Sequence, residues 1–96
     1  MLTELPAKAR LAPGVIASNL STEIILLDTV HEHYYSLKGV GHRFWELLAE
    51  DPSVDQAVAC LLDEFEVEDV VLRRDLAALW KHMAERGLVE PAPEAR

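Results

Sequence analysis

The stretch LLDTVHEHYYSLKGVGHRFWELL, residues 26–48, changes its hydrophobic period halfway along, and that change decides the fold. As far as Leu37 the apolar side chains follow a period of two, the signature of a strand with one buried face. After Gly39 and Gly41, Phe44, Trp45, Leu47 and Leu48 follow a period of 3.6 and open a buried helical face. A sheet therefore runs straight into a helix, with Tyr34 and Tyr35 at the end of the sheet.

Before this junction the chain reads as strands. Val15 to Leu20 alternates imperfectly and forms a first strand, and Glu23–Val30 (EIILLDTV) is aliphatic and β-branched and forms a second. His33–Leu37 (HYYSL) forms a third, with Tyr35 and Leu37 on one face and Tyr34 and Ser36 on the other. The three make an antiparallel meander. Its second turn, Val30–Glu32, lacks the Gly or Asn that a tight hairpin prefers. Residues 1–12, with Pro6 and scattered charges, read as a flexible lead-in, and Pro13 opens the domain proper.

After the junction the spacing predicts three helices. Val40–Glu50 carries Val40, Phe44, Leu47 and Leu48 on one stripe and stops at Asp51-Pro52. Ser53 with Gln56 three residues on fits a capping box, followed by the stripe Val54, Ala57, Val58, Leu61, Leu62 and Phe65. The third helix begins at Val67 or Glu68 and runs to Arg86, with Leu72, Leu76, Leu79 and Met83 as its seam, Trp80 widening it and Gly87 as its stop. Leu88 and Val89 fold back on the core, and residues 90–96 fray. The expectation is one α+β domain over 13–89, a three-stranded antiparallel sheet followed by three helices. This is the element content of a winged helix-turn-helix with the strands at the opposite end of the chain.

Charge narrows the function. Nine Lys and Arg against seventeen Asp and Glu leave a net −8 in 96 residues, which opposes attraction to nucleic acid or an anionic membrane. Arg73, Arg74, Lys81 and Arg86 do lie on the third helix, but Asp75 and Glu85 interrupt them and no basic arm accompanies them, so they read as a solvated face. No apolar run approaches the ~20 residues needed to span a bilayer. The N-terminus lacks the apolar centre of a secretory signal. A cytoplasmic protein is expected.

Catalytic and metal chemistry find no footing either. Cys60 has no second cysteine, and among apolar neighbours it reads as a small buried thiol. His31 and His33 flank Glu32 two residues apart, too few ligands for a metal. His42 and His82 each stand alone on a helix surface, and Gly39-Val40-Gly41 lacks the third glycine and the parallel strand of a dinucleotide site. No cofactor and no catalytic residues are expected.

A binding module remains. The third strand is an edge, and His33–Leu37 holds no proline or lysine to block it. An extended peptide can add there as a fourth strand. The third helix would supply the other wall through Val71, Arg74, Asp75 and Ala78, the flank beside its core seam. The competing reading leaves that flank in plain solvent and makes Tyr34 and Tyr35 ordinary strand aromatics.

The chain resembles the PqqD-like family, the small RiPP recognition elements that bind the leader segment of a ribosomally made precursor peptide. The matching residues are Leu26-Leu27-Asp28, Tyr34-Tyr35-Ser36-Leu37, Gly41 and Phe44-Trp45-Glu46-Leu47-Leu48. Further on come Asp51-Pro52-Ser53-Val54, Asp75-Leu76 through Leu79, Met83 and Gly87-Leu88. The likeness spans residues 15–89, and it rests on the order and spacing of these pieces more than on any one of them. Glu32 stands where the family often has a turn glycine, and Lys38 where an asparagine often precedes the first helix.

The resemblance implies a free-standing, non-catalytic and monomeric adaptor of lasso-peptide maturation. Its partners would be the precursor leader, a leader-cleaving cysteine protease and an ATP-dependent cyclase. The family's groove falls on His33, Tyr34, Tyr35, Ser36 and Leu37 and on Val71, Arg74, Asp75 and Ala78. The alternatives are a precursor-peptide chaperone of PQQ synthesis with the same fold, and a winged-helix DNA-binding regulator. An obligate dimer joined through the open edge is a third.

Overall fold

The structure, a computed structural model, describes residues 5–92. Its elements are β1 (Ala9–Leu11), β2 (Val15–Asn19), β3 (Glu23–Asp28), β4 (His33–Lys38), α1 (Gly39–Glu50), α2 (Val54–Glu64), α3 (Asp69–Glu85) and β5 (Val89–Pro91). The expected three-stranded meander is present as an antiparallel sheet ordered β2-β3-β4, with Leu26 opposite Tyr35 and Ile24 opposite Leu37. Three helices follow it, as the change of period at Gly39 requires.

One core joins the layers. Ile24, Leu26 and Leu37 from the inner face of the sheet meet Phe44, Trp45 and Leu48 of α1, Val54, Ala57, Val58 and Leu61 of α2, and Leu72, Leu76, Trp80 and Met83 of α3. The helical stripes read from the sequence are these residues, with Leu79, Val40, Leu47 and Leu62 at the half-buried margin. The solvent face of the sheet carries Ile16, Leu27 and Tyr34 in one cross-strand row, all exposed.

The punctuation of the helices follows local chemistry. Ser53 accepts a hydrogen bond at its hydroxyl from the Gln56 N–H (3.3 Å), the cap expected of it. The Ser53 N–H itself donates to Asp51 Oδ1 (3.0 Å). At the end of α3, Gly87 takes a left-handed φ of 74°, the Leu88 N–H reaches the Met83 carbonyl (3.0 Å) and the Gly87 N–H the Ala84 carbonyl (3.0 Å). This is a Schellman stop, and Leu88 and Met83 are both fully buried behind it. Lys38, in contrast, makes no side-chain cap for α1.

The hairpin between β3 and β4 forms without glycine because Asp28 replaces it. Its carboxylate accepts from the Val30 N–H (3.0 Å) and the His31 N–H (3.1 Å) and pairs with His31 Nδ1 (2.9 Å). Glu32 completes the turn at a left-handed φ of 59°, the conformation that the more usual glycine adopts without strain.

Three expectations need correction. Ala9–Leu11, read as part of a flexible lead-in, pairs antiparallel with Val89–Pro91, whose last two residues, Glu90 and Pro91, belong to the tail expected to fray. Arg10 Nε donates to Glu90 across this ladder (2.7 Å), and the Ala9 and Val54 amides bond the Pro52 and Ala7 carbonyls. The pairing joins residues about eighty positions apart, so no local pattern announces it. His42 is buried, its Nε2 donating to Asn19 Oδ1 (2.7 Å), because the β2 end lies against α1. Cys60 is exposed, since α2 turns Ala57, Val58 and Leu61 inward and leaves position 60 on the other side.

Candidate functional site

Hydrogen-bond parity in the sheet identifies which backbone groups are free. The Thr29 N–H bonds the Gly14 carbonyl (2.9 Å) and the Leu20 N–H the Glu23 carbonyl (2.8 Å), so β3 turns its odd-numbered residues toward β2. In an antiparallel sheet a central strand turns alternate residues to opposite neighbours, so Ile24, Leu26 and Asp28 bond β4 through Leu37, Tyr35 and His33. The amides and carbonyls of Tyr34, Ser36 and Lys38 then point out of the sheet. Among the described residues no strand pairs with that edge.

The side chains of β4 divide the same way. Leu37 is buried and Tyr35 half-buried on the inner face, whereas Tyr34 is 67% exposed on the outer one. The Ser36 hydroxyl donates to the Glu23 carboxylate across the strand pair. His33 is committed elsewhere: its Nε2 lies 3.6 Å from Asp28 Oδ2, and its ring stacks on His31 with centroids 6.0 Å apart. Together the two imidazoles hold the buried Asp28 carboxylate. The His31 hydrogen bond, first of all, keeps that carboxylate below its ordinary pKa, with help from the two turn amides and against the cost of burial.

Helix α3 forms the second wall, and three contacts set its alignment. The Tyr35 ring lies 5.5 Å from the His82 ring and 5.5 Å from the Arg86 guanidinium, while Leu79 closes on Gly41 beside Leu37. A Cβ added at Gly41 would come within 3.2 Å of Leu79 and 3.6 Å of Leu37, so the missing side chain lets α1 begin close under α3. As β4 advances from Tyr35 to Leu37, the facing residue on α3 falls from Arg86 and His82 to Leu79. The strand and the helix run antiparallel.

This alignment sorts the predicted helical residues. Ala78, Asp75 and Val71 share one stripe with His82, at helical spacing. Val71 lies about 12 Å further along α3 than Leu79, beyond the end of β4. Arg74 neighbours Val71 and Ala78 on the side of the stripe away from Leu79, its side chain mostly in solvent with Nε 3.7 Å from Asp75 Oδ1. The wall facing Tyr35 is built by His82 and Arg86, which the sequence reading left out of the site. Their signal was the step of three and then four residues from Leu79, which puts all three on one side of the helix.

Two further arginines are occupied. Arg73 Nε bonds Asp69 (2.6 Å), and Arg43 forks onto Glu64 with two contacts of 2.8 Å, which lower the Glu64 pKa and raise that of Arg43. Neither presents a free cation to a phosphate backbone. Among the described residues no cluster of three or more His, Cys, Asp or Glu is arranged to hold a metal ion, and no helix is long and apolar enough to cross a membrane.

Comparison with known proteins finds one family and two solved structures. The sequence profile of the family described as Coenzyme PQQ synthesis protein D (PqqD) matches residues 23–89, from the start of β3 into β5. Two solved structures share the fold. One is TbiB1 in complex with the TbiA(beta) leader peptide, 26% identical with a TM-score of 0.79, covering 88% of this chain and 99% of that one. The other is a lasso peptide synthetase B1 complexed with the leader peptide, 28% identical with a TM-score of 0.77, covering 88% of this chain and 100% of that one. Among curated proteins nothing matches.

Proposed function

The chain belongs to the PqqD family, and from that premise we propose that it is a non-catalytic adaptor for a ribosomally made precursor peptide. It binds the leader segment as an added strand on β4, in the groove walled by α3, and presents it to a leader protease and a cyclase in lasso-peptide maturation. The observation that carries this reading is the free edge: Tyr34, Ser36 and Lys38 offer unpaired backbone groups beside a second wall held at Tyr35 and Leu37. That both solved neighbours are complexes with leader peptides supports it.

The energetics state what the groove must do. Ordering an extended peptide costs roughly 1–2 kcal/mol per residue in backbone entropy, and each backbone hydrogen bond returns a net of about 1 kcal/mol. Strand pairing alone therefore nearly cancels. Burying one large apolar side chain adds about 1.5–3 kcal/mol, so two or three anchors between β4 and α3 bring binding into the micromolar to nanomolar range. Holding the leader while contacting the protease raises its local concentration towards about millimolar.

The test is a titration of isotope-labelled protein with a synthetic leader from any precursor encoded next to it, read through backbone amide shifts. Saturable shifts over His33–Leu37 and along α3 from Ala78 to Arg86 are expected. A flat titration overturns the reading. A mass that stays doubled at low micromolar concentration in light scattering replaces it with edge-to-edge pairing of two copies.

A further inference from the structure

Building on the strand-addition reading, we infer that Arg86 and His82 form a carboxylate-reading end of the groove. The bound peptide then carries an Asp or Glu at the position that comes in beside Tyr35, and a large aliphatic residue two positions away.

Among the described arginines, Arg10, Arg43, Arg73 and Arg74 each face a carboxylate of this chain. Arg86 faces no carboxylate among the described residues. Its guanidinium lies over the Tyr35 ring at 5.5 Å and its Nε donates to His82 Nε2 at 3.3 Å. A neutral His82 that accepts through Nε2 carries its proton on Nδ1, so the ring is itself a further donor. Both residues are exposed, so the donors are accessible.

The pair is also pre-organised. Arg86 is the C-cap of α3, fixed by the Schellman bonds around Gly87 and by the burial of Leu88. Stacking on Tyr35 restrains the rest of its side chain. An arginine held in this way loses less freedom when it takes a carboxylate than one extended into water. The Tyr35 ring already meets both His82 and Arg86, so a charged oxygen suits this end better than another aromatic ring.

The geometry adds a spacing rule. Inward side chains of an added strand recur every second residue, about 6.8 Å apart. If one lies beside Tyr35 and Arg86, the next lies beside Leu37 and Leu79, the apolar end of the groove. The net charge of −8 disfavours acidic peptides at long range. Within a Debye length of about 8 Å the local cation reverses that preference. An acidic residue is thus rewarded at one position and penalised elsewhere, which is what a register mark requires.

The experiment is selection of random fifteen-residue peptides on the immobilised full chain, followed by polarisation binding of the winners. Peptides that shift the β4 amides are expected to share an Asp or Glu two positions from Leu, Ile, Val or Phe. Replacing that acid by its amide should weaken binding to the native chain about two- to fivefold and leave binding to the Arg86→Gln variant unchanged. Lys81→Gln removes the same charge from another face of α3, and should keep the preference. Thermal melting verifies that both variants fold. Winners that shift β4 without an acidic preference, or a preference that survives Arg86→Gln, overturn the inference and leave strand addition standing. Winners that leave the β4 amides unmoved overturn both.

Discussion

Among the described residues the sheet has two open edges, β2 and β4, and their neighbours treat them differently. By the same parity that frees Tyr34 and Ser36, Ala17 and Asn19 of β2 turn their backbone groups outward. Helix α1 stands beside β2 and is tied to it by polar bonds. Asn19 Nδ2 donates to Glu46 (2.8 Å), and His42 donates to Asn19 Oδ1 (2.7 Å). A hollow of about 420 Å³ remains there, lined by Ala17, Asn19, Arg43 and Glu46 among others. Helix α3 meets β4 through rings, aliphatic carbons and a cation over a ring. Strand addition asks that the element beside an open strand leave the backbone groups free and bring apolar surface to the cleft. The β2 edge has polar side chains already bonded to its neighbour, and the β4 edge does not.

The largest expected effect separates the two edges outright. Ser36→Pro removes an outward N–H without touching the ladder to β3, a position where proline is tolerated. It should weaken leader binding at least about tenfold, since proline also blocks the added strand sterically. Ala17→Pro makes the equivalent change on β2, and isothermal titration should find affinity unaltered. Equal losses from both would erase the distinction.

Asn19→Ala comes next. It removes the link between β2 and α1 and leaves the His42 Nε2 only Glu46 Oε2, at 3.4 Å, costing about 1 kcal/mol of stability in urea unfolding, with leader affinity unchanged. Its second signature is electrostatic. The Asn19 hydrogen bond is the first cause of the lowered Glu46 pKa, so that carboxyl should titrate higher in the variant when followed by NMR.

The hairpin leading into β4 allows a gain in stability. Glu32→Gly relieves a left-handed residue and should stabilise the fold by about 1 kcal/mol, less the entropy that glycine adds to the unfolded chain. No change, or a loss, would show that the turn is not strained at this position.

The smallest effect is on acid stability. The Asp28 carboxyl titrates below its ordinary value of 3.8 in the folded chain. Its contribution is therefore complete above about pH 4 and is lost as pH falls through the folded value. Asp28→Asn keeps an acceptor for the Val30 and His31 amides but should flatten that part of the acid limb in a pH series of denaturation midpoints.

Much of the molecule is legible in its sequence. The alternation through Tyr35 and Leu37 and the switch at Gly39 gave the sheet, its edge and the first helix. Ser53 and Gly87 marked helix ends by chemistry that acts within four residues. The hairpin was harder, because its determinant is a carboxylate at Asp28 and not a residue inside the turn. His42 and Cys60 exchanged roles, since their burial depends on which neighbour each helix face receives.

What the sequence determined by itself is what contiguous residues can encode: hydrophobic period, cap, stop and net charge, each set by interactions within a turn or a strand. The tertiary structure alone decided the pairing of Ala9–Leu11 with Val89–Pro91 and the meeting of Tyr35 with His82 and Arg86. Those contacts join residues roughly fifty to eighty positions apart. They exist only because the common core of Leu26, Phe44, Leu61, Met83 and Leu88 holds the elements in one register.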